Sequence, residues 1–315
     1  MDTNRQASGP KRQHFVPCCY LKFFAHSGDW ADGRKTRVYF TNGEISRCVP
    51  VEDVGADDFT YSKEFPEFDN EFHNMERDYP PIVEKILASE SLTKKEYFGL
   101  VITMIDFNLR NIAYENRSDR ERKDVYGAIS RSCMEDLFWE APGRGTSFQE
   151  NLDWLAENWR IQALETESGE KFITSDNPST IYCHERFGRP ILIYLPIHPD
   201  KAVIAFDRRY IRAVSRKVSD DALSILNGLQ VNRCVRHVFS EHDTLAADQQ
   251  NVNSLKELLQ REKPSRFATQ EGLWQRDYIN IASPAVARFQ FIRQRKRVIS
   301  ELREAIRLAI SSRYR

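Results

Sequence analysis

Three Ser/Thr-x-x-Glu signatures in the middle of the chain constrain its fold more than any other feature. They are Thr93-Lys-Lys-Glu96, Ser118-Asp-Arg-Glu121 and Ser147-Phe-Gln-Glu150. In such a box the hydroxyl accepts from the N–H three residues on, and the carboxylate returns to the capping residue's own N–H, so each marks a helix start. The first opens a helix through about Tyr114, and the third one through Trp154 to about Trp159. Another helix precedes them, because Phe72, Met75, Tyr79, Val83 and Ile86 recur at helical spacing. Pro80 and Pro81 fall inside that pattern and are expected to kink or split it.

After Trp159 the period shortens towards that of strands. Trp159–Glu165 and Lys171–Thr174 alternate about a turn at Ser168-Gly169, and Pro190–Leu195 and Ala202–Phe206 add two more strands. Earlier, Lys35–Phe40 and Glu44–Val49 read as a hairpin about Asn42-Gly43, the pair that a two-residue turn favours. Residues 52–70 read as an irregular acidic and aromatic crossing, and residues 218–236 as a helix with Ala222, Ile225, Leu226 and Leu229 on one face. Strands in runs, not alternating with helices, predict an α+β fold: a central helical cluster packed on a mixed or antiparallel sheet. The expected boundaries are a loose N-terminus (1–12), a single α+β domain (13–265) and a basic C-terminal helical extension (266–315). Ser283-Pro284 caps a long helix within the extension.

Composition narrows the function classes. With 41% hydrophobic and 29% charged residues in 315, the chain suits a folded, water-soluble protein and excludes a disordered or collagen-like one. No apolar run approaches the roughly 20 residues that cross a bilayer, and the opening MDTNRQASGPKRQHF lacks the apolar core of a secretory signal. Six cysteines without a CxxC or zinc spacing fit reduced thiols in the cytoplasm. The 46 basic and 46 acidic residues cancel, but nine basic and two acidic residues fall from Ser283 on, so that tail carries +7 and the remainder −7. One reading lays its apolar stripe (Val298, Ile299, Leu302, Ile306) on the acidic body. The other makes it a nucleic-acid-binding arm, in which Phe289 and Phe291 precede Arg293, Arg295, Lys296 and Arg297.

Polar residues on apolar faces are costly, so four places stand out. Glu76 sits on the Phe72–Val83 face. Asn108 follows Tyr97, Leu100, Val101 and Met104, with Arg110 set to form a surface ion pair with Asp106. Ser175-Asp176-Asn177-Pro178 ends an apolar strand, where it either ties its own backbone into a turn or points a carboxylate into a cleft. Gln13-His14 begins the first ordered, apolar anchor. No phosphate loop, Gly-x-Gly-x-x-Gly, HExxH or Gly-x-Ser-x-Gly occurs.

These segments in this order resemble the domain-of-unknown-function family 4238 of bacteria and fungi. The opening Gln13-His14-Phe15-Val16-Pro17 leads to Tyr20-Leu21-Lys22-Phe23-Phe24-Ala25. A Glu-bearing helix follows (Glu76), then a helix with Asn108 and Arg110. The strand Phe172–Pro178 ends Thr-Ser-Asp-Asn-Pro, Leu195-Pro196-Ile197-His198-Pro199 comes next, and a helix bears Asn227 with Asn232 close by. Pro80-Pro81 and Cys18-Cys19 depart from the family pattern. The resemblance spans about residues 11–240 and implies accessory proteins encoded near mobile elements and bacterial anti-phage defence loci.

If the four places converge, His14, Glu76 and Asp176 are the candidate catalytic groups, and Gln13, Asn108, Arg110, Ser175 and Asn177 the candidate substrate-binding ones. Two carboxylates and an imidazole suit a hard divalent ion such as magnesium or manganese. Alternatively, His14 serves as a general base without metal. The expected reaction is phosphodiester hydrolysis in RNA, DNA or a nucleotide, the nuclease-like action of a defence toxin. The rival expectations are a non-catalytic nucleotide- or anion-binding regulatory module, and a protein that docks a partner or a second copy through its C-terminal helix.

Overall fold

The computed structural model describes residues 12–14, 16–26, 36–41, 45–58, 66–109, 148–183, 190–211, 214–234 and 237–243. The Ser118 box, Arg110 and the whole basic extension lie outside the described residues, as do residues 1–11. In chain order the elements are β1 (Arg12–His14), α1 (Cys18–Leu21), β2 (Arg37–Thr41), β3 (Ser46–Pro50), β4 (Ala56–Asp58), α2 (Pro66–Leu87), α3 (Lys94–Leu109) and α4 (Phe148–Asn158). There follow β5 (Trp159–Thr166), β6 (Thr174–Ser175), β7 (Thr180–Cys183), β8 (Pro190–His198), β9 (Lys201–Asp207), β10 (Lys217–Val218), α5 (Asp220–Arg233) and β11 (Val238–Ser240).

The architecture is α+β, with helices on mixed and antiparallel sheets. A five-stranded sheet runs β10-β5-β9-β8-β7, antiparallel throughout except for the β10–β5 pair. Its central strands are apolar almost without a break, as a sheet covered on both faces requires. Ile193, Leu195, Ile197, Val203 and Ala205 face a core that α2, α3 and α4 supply with Val83, Leu100, Met104 and Leu155. Leu192, Tyr194, Ile204 and Phe206 face the opposite way, onto Ala222, Leu226 and Leu229 of α5. Among the described residues no helix is long and apolar enough to cross a membrane.

The Thr93 box closes as its chemistry dictates. Thr93 N donates to Glu96 Oε2 at 2.8 Å, and Glu96 N donates to Thr93 Oγ1 at 3.3 Å. Helix α4 begins where the Ser147 box places it. For α5, the Ser219 hydroxyl accepts from Ala222 N, and Asp220 and Asp221 stand in the first turn, where the helix dipole favours acids.

Four local expectations are corrected. Helix α2 runs unbroken through Pro80 and Pro81, so the expected split does not occur. These prolines have no N–H for the carbonyls of Glu76 and Arg77, at about 3 kcal/mol for each proline. Buried Tyr79, Ile82, Val83 and Ile86 flank the pair, and at about 1.5–3 kcal/mol each their burial matches or exceeds that cost. In the β2–β3 hairpin Thr41 faces Ser46, which leaves four residues in the loop where two were expected. The Thr41 hydroxyl donates to the Ile45 carbonyl across it at 2.9 Å. The crossing at 52–70 contains β4, which pairs with β1, and the first turn of α2, opened by Pro66. Finally, β5 and the Lys171–Thr174 segment enter different sheets. Ile173 N and Lys171 O bond to the Asn227 side chain and Phe172 N to the Pro199 carbonyl, and Thr174–Ser175 joins a four-stranded sheet ordered β3-β2-β11-β6.

Candidate functional site

The first ordered segment is fixed by a close main-chain contact. In β1, His14 pairs with Ala56 of β4, and two residues later Val16 N donates to Gly55 O at 3.0 Å. Gly55 has φ +66°, and a Cβ there would lie 2.9 Å from Val16 Cβ, so only glycine lets the strands meet this closely. The half-buried imidazole of His14 is thereby held on a short ladder, and its Nε2 lies 3.0 Å from Cys18 Sγ, one residue past Pro17.

Tyr20 joins the four predicted segments. Its hydroxyl donates to the Pro196 carbonyl at 2.8 Å and lies 2.5 Å from Thr174 Oγ1, which leads the Thr-Ser-Asp-Asn-Pro run. Its ring packs 6.0 Å from Tyr79, three residues beyond Glu76, and 5.0 Å from Phe107, the residue before Asn108. Residues beside Glu76, Asn108 and Asp176 therefore pack or bond onto one buried ring that lies six residues beyond His14. Burial holds the phenols of Tyr20, Tyr79 and Tyr194 well above the usual tyrosine range, so they act as neutral hydroxyls.

The run from Thr174 to Thr180 is polar yet wholly buried. Hydrogen bonds offset much of the cost of that burial. Asp176 N donates to His237 O at 3.0 Å, and His237 N returns to Asp176 Oδ2 at 2.9 Å. The Ser175 hydroxyl donates to Gln230 Oε1 at 3.0 Å and accepts from Asn177 N at 3.2 Å, the local turn that a serine at a strand end favours. Gln230 Nε2 donates to the Pro178 carbonyl at 2.9 Å. One turn earlier on α5, Asn227 accepts from Ile173 N at 3.1 Å and donates to Lys171 O at 2.9 Å. Two amides of one helix thus clamp the main chain on both sides of Thr174.

The predicted residues divide accordingly. Ser175, Asp176 and Asn177 are buried; His14 and Glu76 are half-buried at the edge. His14, Glu76 and Asp176 do not stand as a three-donor set, for among the described residues no three His, Cys, Asp or Glu side chains are grouped to hold a metal ion. Gln13 lies on β1 opposite Asp57, and Asn108 lies on α3. Arg110, Arg293, Arg295, Lys296 and Arg297 lie outside the described residues. Asp106, expected in a surface ion pair, is buried beside Phe107 because its turn of α3 faces the core.

Sequence reading missed Tyr20, Asp106, Gln230 and His237. Only Gln230 left a readable signal, a polar residue continuing the stripe of Ala222, Leu226 and Leu229 at helical spacing. No curated protein and no solved structure matches the chain. A family match does exist, and both the Gln-His-Phe-Val-Pro opening and the Thr-Ser-Asp-Asn-Pro run fall within it. The chain belongs to the family described as "Protein of unknown function (DUF4238)", which it matches over residues 12–167 and 157–244.

Proposed function

We propose that the protein is a hydrolase of phosphodiester bonds, acting on RNA, DNA or a nucleotide, with His14 as general base. The convergence of the segments bearing His14, Glu76, Asn108 and Asp176 on Tyr20 carries this reading. His14 is the group suited to proton transfer, since an imidazole titrates near neutral pH. It is solvent-reachable and held on a strand. In this scheme the imidazole takes the proton of the attacking water. Asn108 and Arg110 hold the phosphate oxygens, Glu76 orients the base or protonates the leaving group, and Arg293, Arg295, Lys296 and Arg297 hold the polymer backbone. In this scheme proton transfer by His14 carries the chemistry.

The full chain, incubated with labelled single-stranded RNA and DNA and with a panel of cyclic and linear nucleotides, is expected to cleave at least one class. His14→Ala is expected to lower that turnover by about 10²-fold or more without changing the melting temperature. Equal turnover by the variant overturns the assignment.

A second reading has its own observation. Asp176 and Ser175 are bonded inward, to His237 and Gln230, as in a module that binds a nucleotide or anion and performs no chemistry. Stabilisation of the protein by a nucleotide that it never turns over would favour this reading.

A further inference from the structure

Cys18 and His14 form a thiol–imidazole pair at the start of the first ordered segment. A thiol and an imidazole in hydrogen-bond contact form a nucleophile–base pair, provided that the backbone holds them there. It does so here: β4 pins His14, the Val16–Gly55 contact fixes the next turn, and Cys18 opens α1 at i+4 from His14. The sulfur lies 3.0 Å from His14 Nε2 and 3.6 Å from the Val51 carbonyl, so the imidazole is the nearer claimant on the thiol proton. Cys18 is half-buried, hence reachable, whereas Cys234 is fully enclosed. Cys19 and Cys48 are half-buried like Cys18, but the contact with His14 belongs to Cys18. The adjoining turn carries Glu52 and Asp53, whose charge favours the imidazolium and disfavours the thiolate.

We propose that Cys18 is a nucleophilic thiol with His14 as its base, a site of mixed-disulfide formation with low-molecular-weight disulfides. The thiol proton moves to His14 Nε2. The thiolate then attacks one sulfur of the disulfide, the Cys18 S–S bond forms as the old S–S bond breaks, and the departing thiolate takes the proton back from the imidazolium. The external disulfide is the oxidant, and one of its sulfurs leaves reduced. This inference stands on the pair alone and does not require phosphodiester hydrolysis.

The test is the site-resolved rate at which glutathione disulfide labels the full chain, read by peptide mass across pH 5.5–9. Cys18 is expected to label faster than Cys48 and Cys234, with a pH profile centred below the ordinary thiol value of about 8.5. His14→Gln is expected to move that profile up and to slow labelling at neutral pH by about three-fold or more. That figure follows from a ten-fold lower thiolate fraction per unit, partly offset by higher intrinsic nucleophilicity. If His14→Gln fails to fold, the parent's order of labelling and pH profile decide the matter alone. Labelling of Cys18 no faster than Cys48, or a profile centred at the ordinary value, overturns the proposal.

Discussion

The Tyr20 hydroxyl lies 2.5 Å from Thr174 Oγ1, although 154 residues separate them. The same phenol donates to the Pro196 carbonyl, so one buried oxygen ties α1 to the start of the polar run and to strand β8. Tyr20→Phe keeps the ring and removes that oxygen, leaving a buried hydroxyl and a buried carbonyl to lose a partner. A loss of about 1–3 kcal/mol is expected, measured by urea unfolding. A variant as stable as the parent would show that this contact does not hold the segments together.

Asn227 braces the chain on both sides of Phe172. Asn227→Asp keeps an acceptor for Ile173 N but replaces the donor to Lys171 O with a repelling oxygen. It is expected to cost more than Asn227→Ala, with both losses in the range of about 1–4 kcal/mol. Amide exchange at Ile173 should quicken in both variants. Unchanged exchange would mean that the brace is dispensable.

Gly55→Ala brings a Cβ to 2.9 Å from Val16 Cβ, at a backbone with φ +66°. Left-handed backbone costs an L-residue about 1–2 kcal/mol and the overlap about 1–3 kcal/mol. A drop of about 2–5 kcal/mol is therefore expected in urea unfolding, and loss of the His14 contact with it.

Glu96 receives the Lys85 ammonium at 2.6 Å as well as the Thr93 N–H and hydroxyl. Chiefly the lysine, then Thr93, lowers its carboxyl from 4.5 to about 2. A carboxylate whose folded-state pKa is depressed stabilises above its unfolded value, and that stability is lost as pH falls through the folded one. Glu96→Gln is therefore expected to unfold at lower urea than the parent at pH 6. The gap should narrow below about pH 4.3 and close near pH 2. A gap independent of pH would contradict the role of the charge.

The sequence is most legible where the partners lie close together in it. Thr93 and Glu96 satisfy each other within one turn, so their box is readable as it stands. The apolar strands β8 and β9 likewise announce a sheet covered on both faces. Tyr20 is not readable as the centre, since an aromatic residue among Leu21, Phe23 and Phe24 looks like any core residue. Its partners at Thr174 and Pro196 are set by tertiary packing. The two prolines of α2 mislead for the same reason: local chemistry forbids what burial on either side of them enforces. Asp176 and Ser175 were legible as out of place, but not as the guests of His237 and Gln230.

The central claim is that His14 and Glu76 belong to one functional site. A double-mutant cycle on phosphodiester turnover, comparing the parent with His14→Ala, Glu76→Gln and the double variant, tests it most directly. Residues that act as a unit give non-additive losses, so the double variant is expected to be little slower than the slower single one. Losses that simply multiply, or turnover untouched by either substitution, would contradict it.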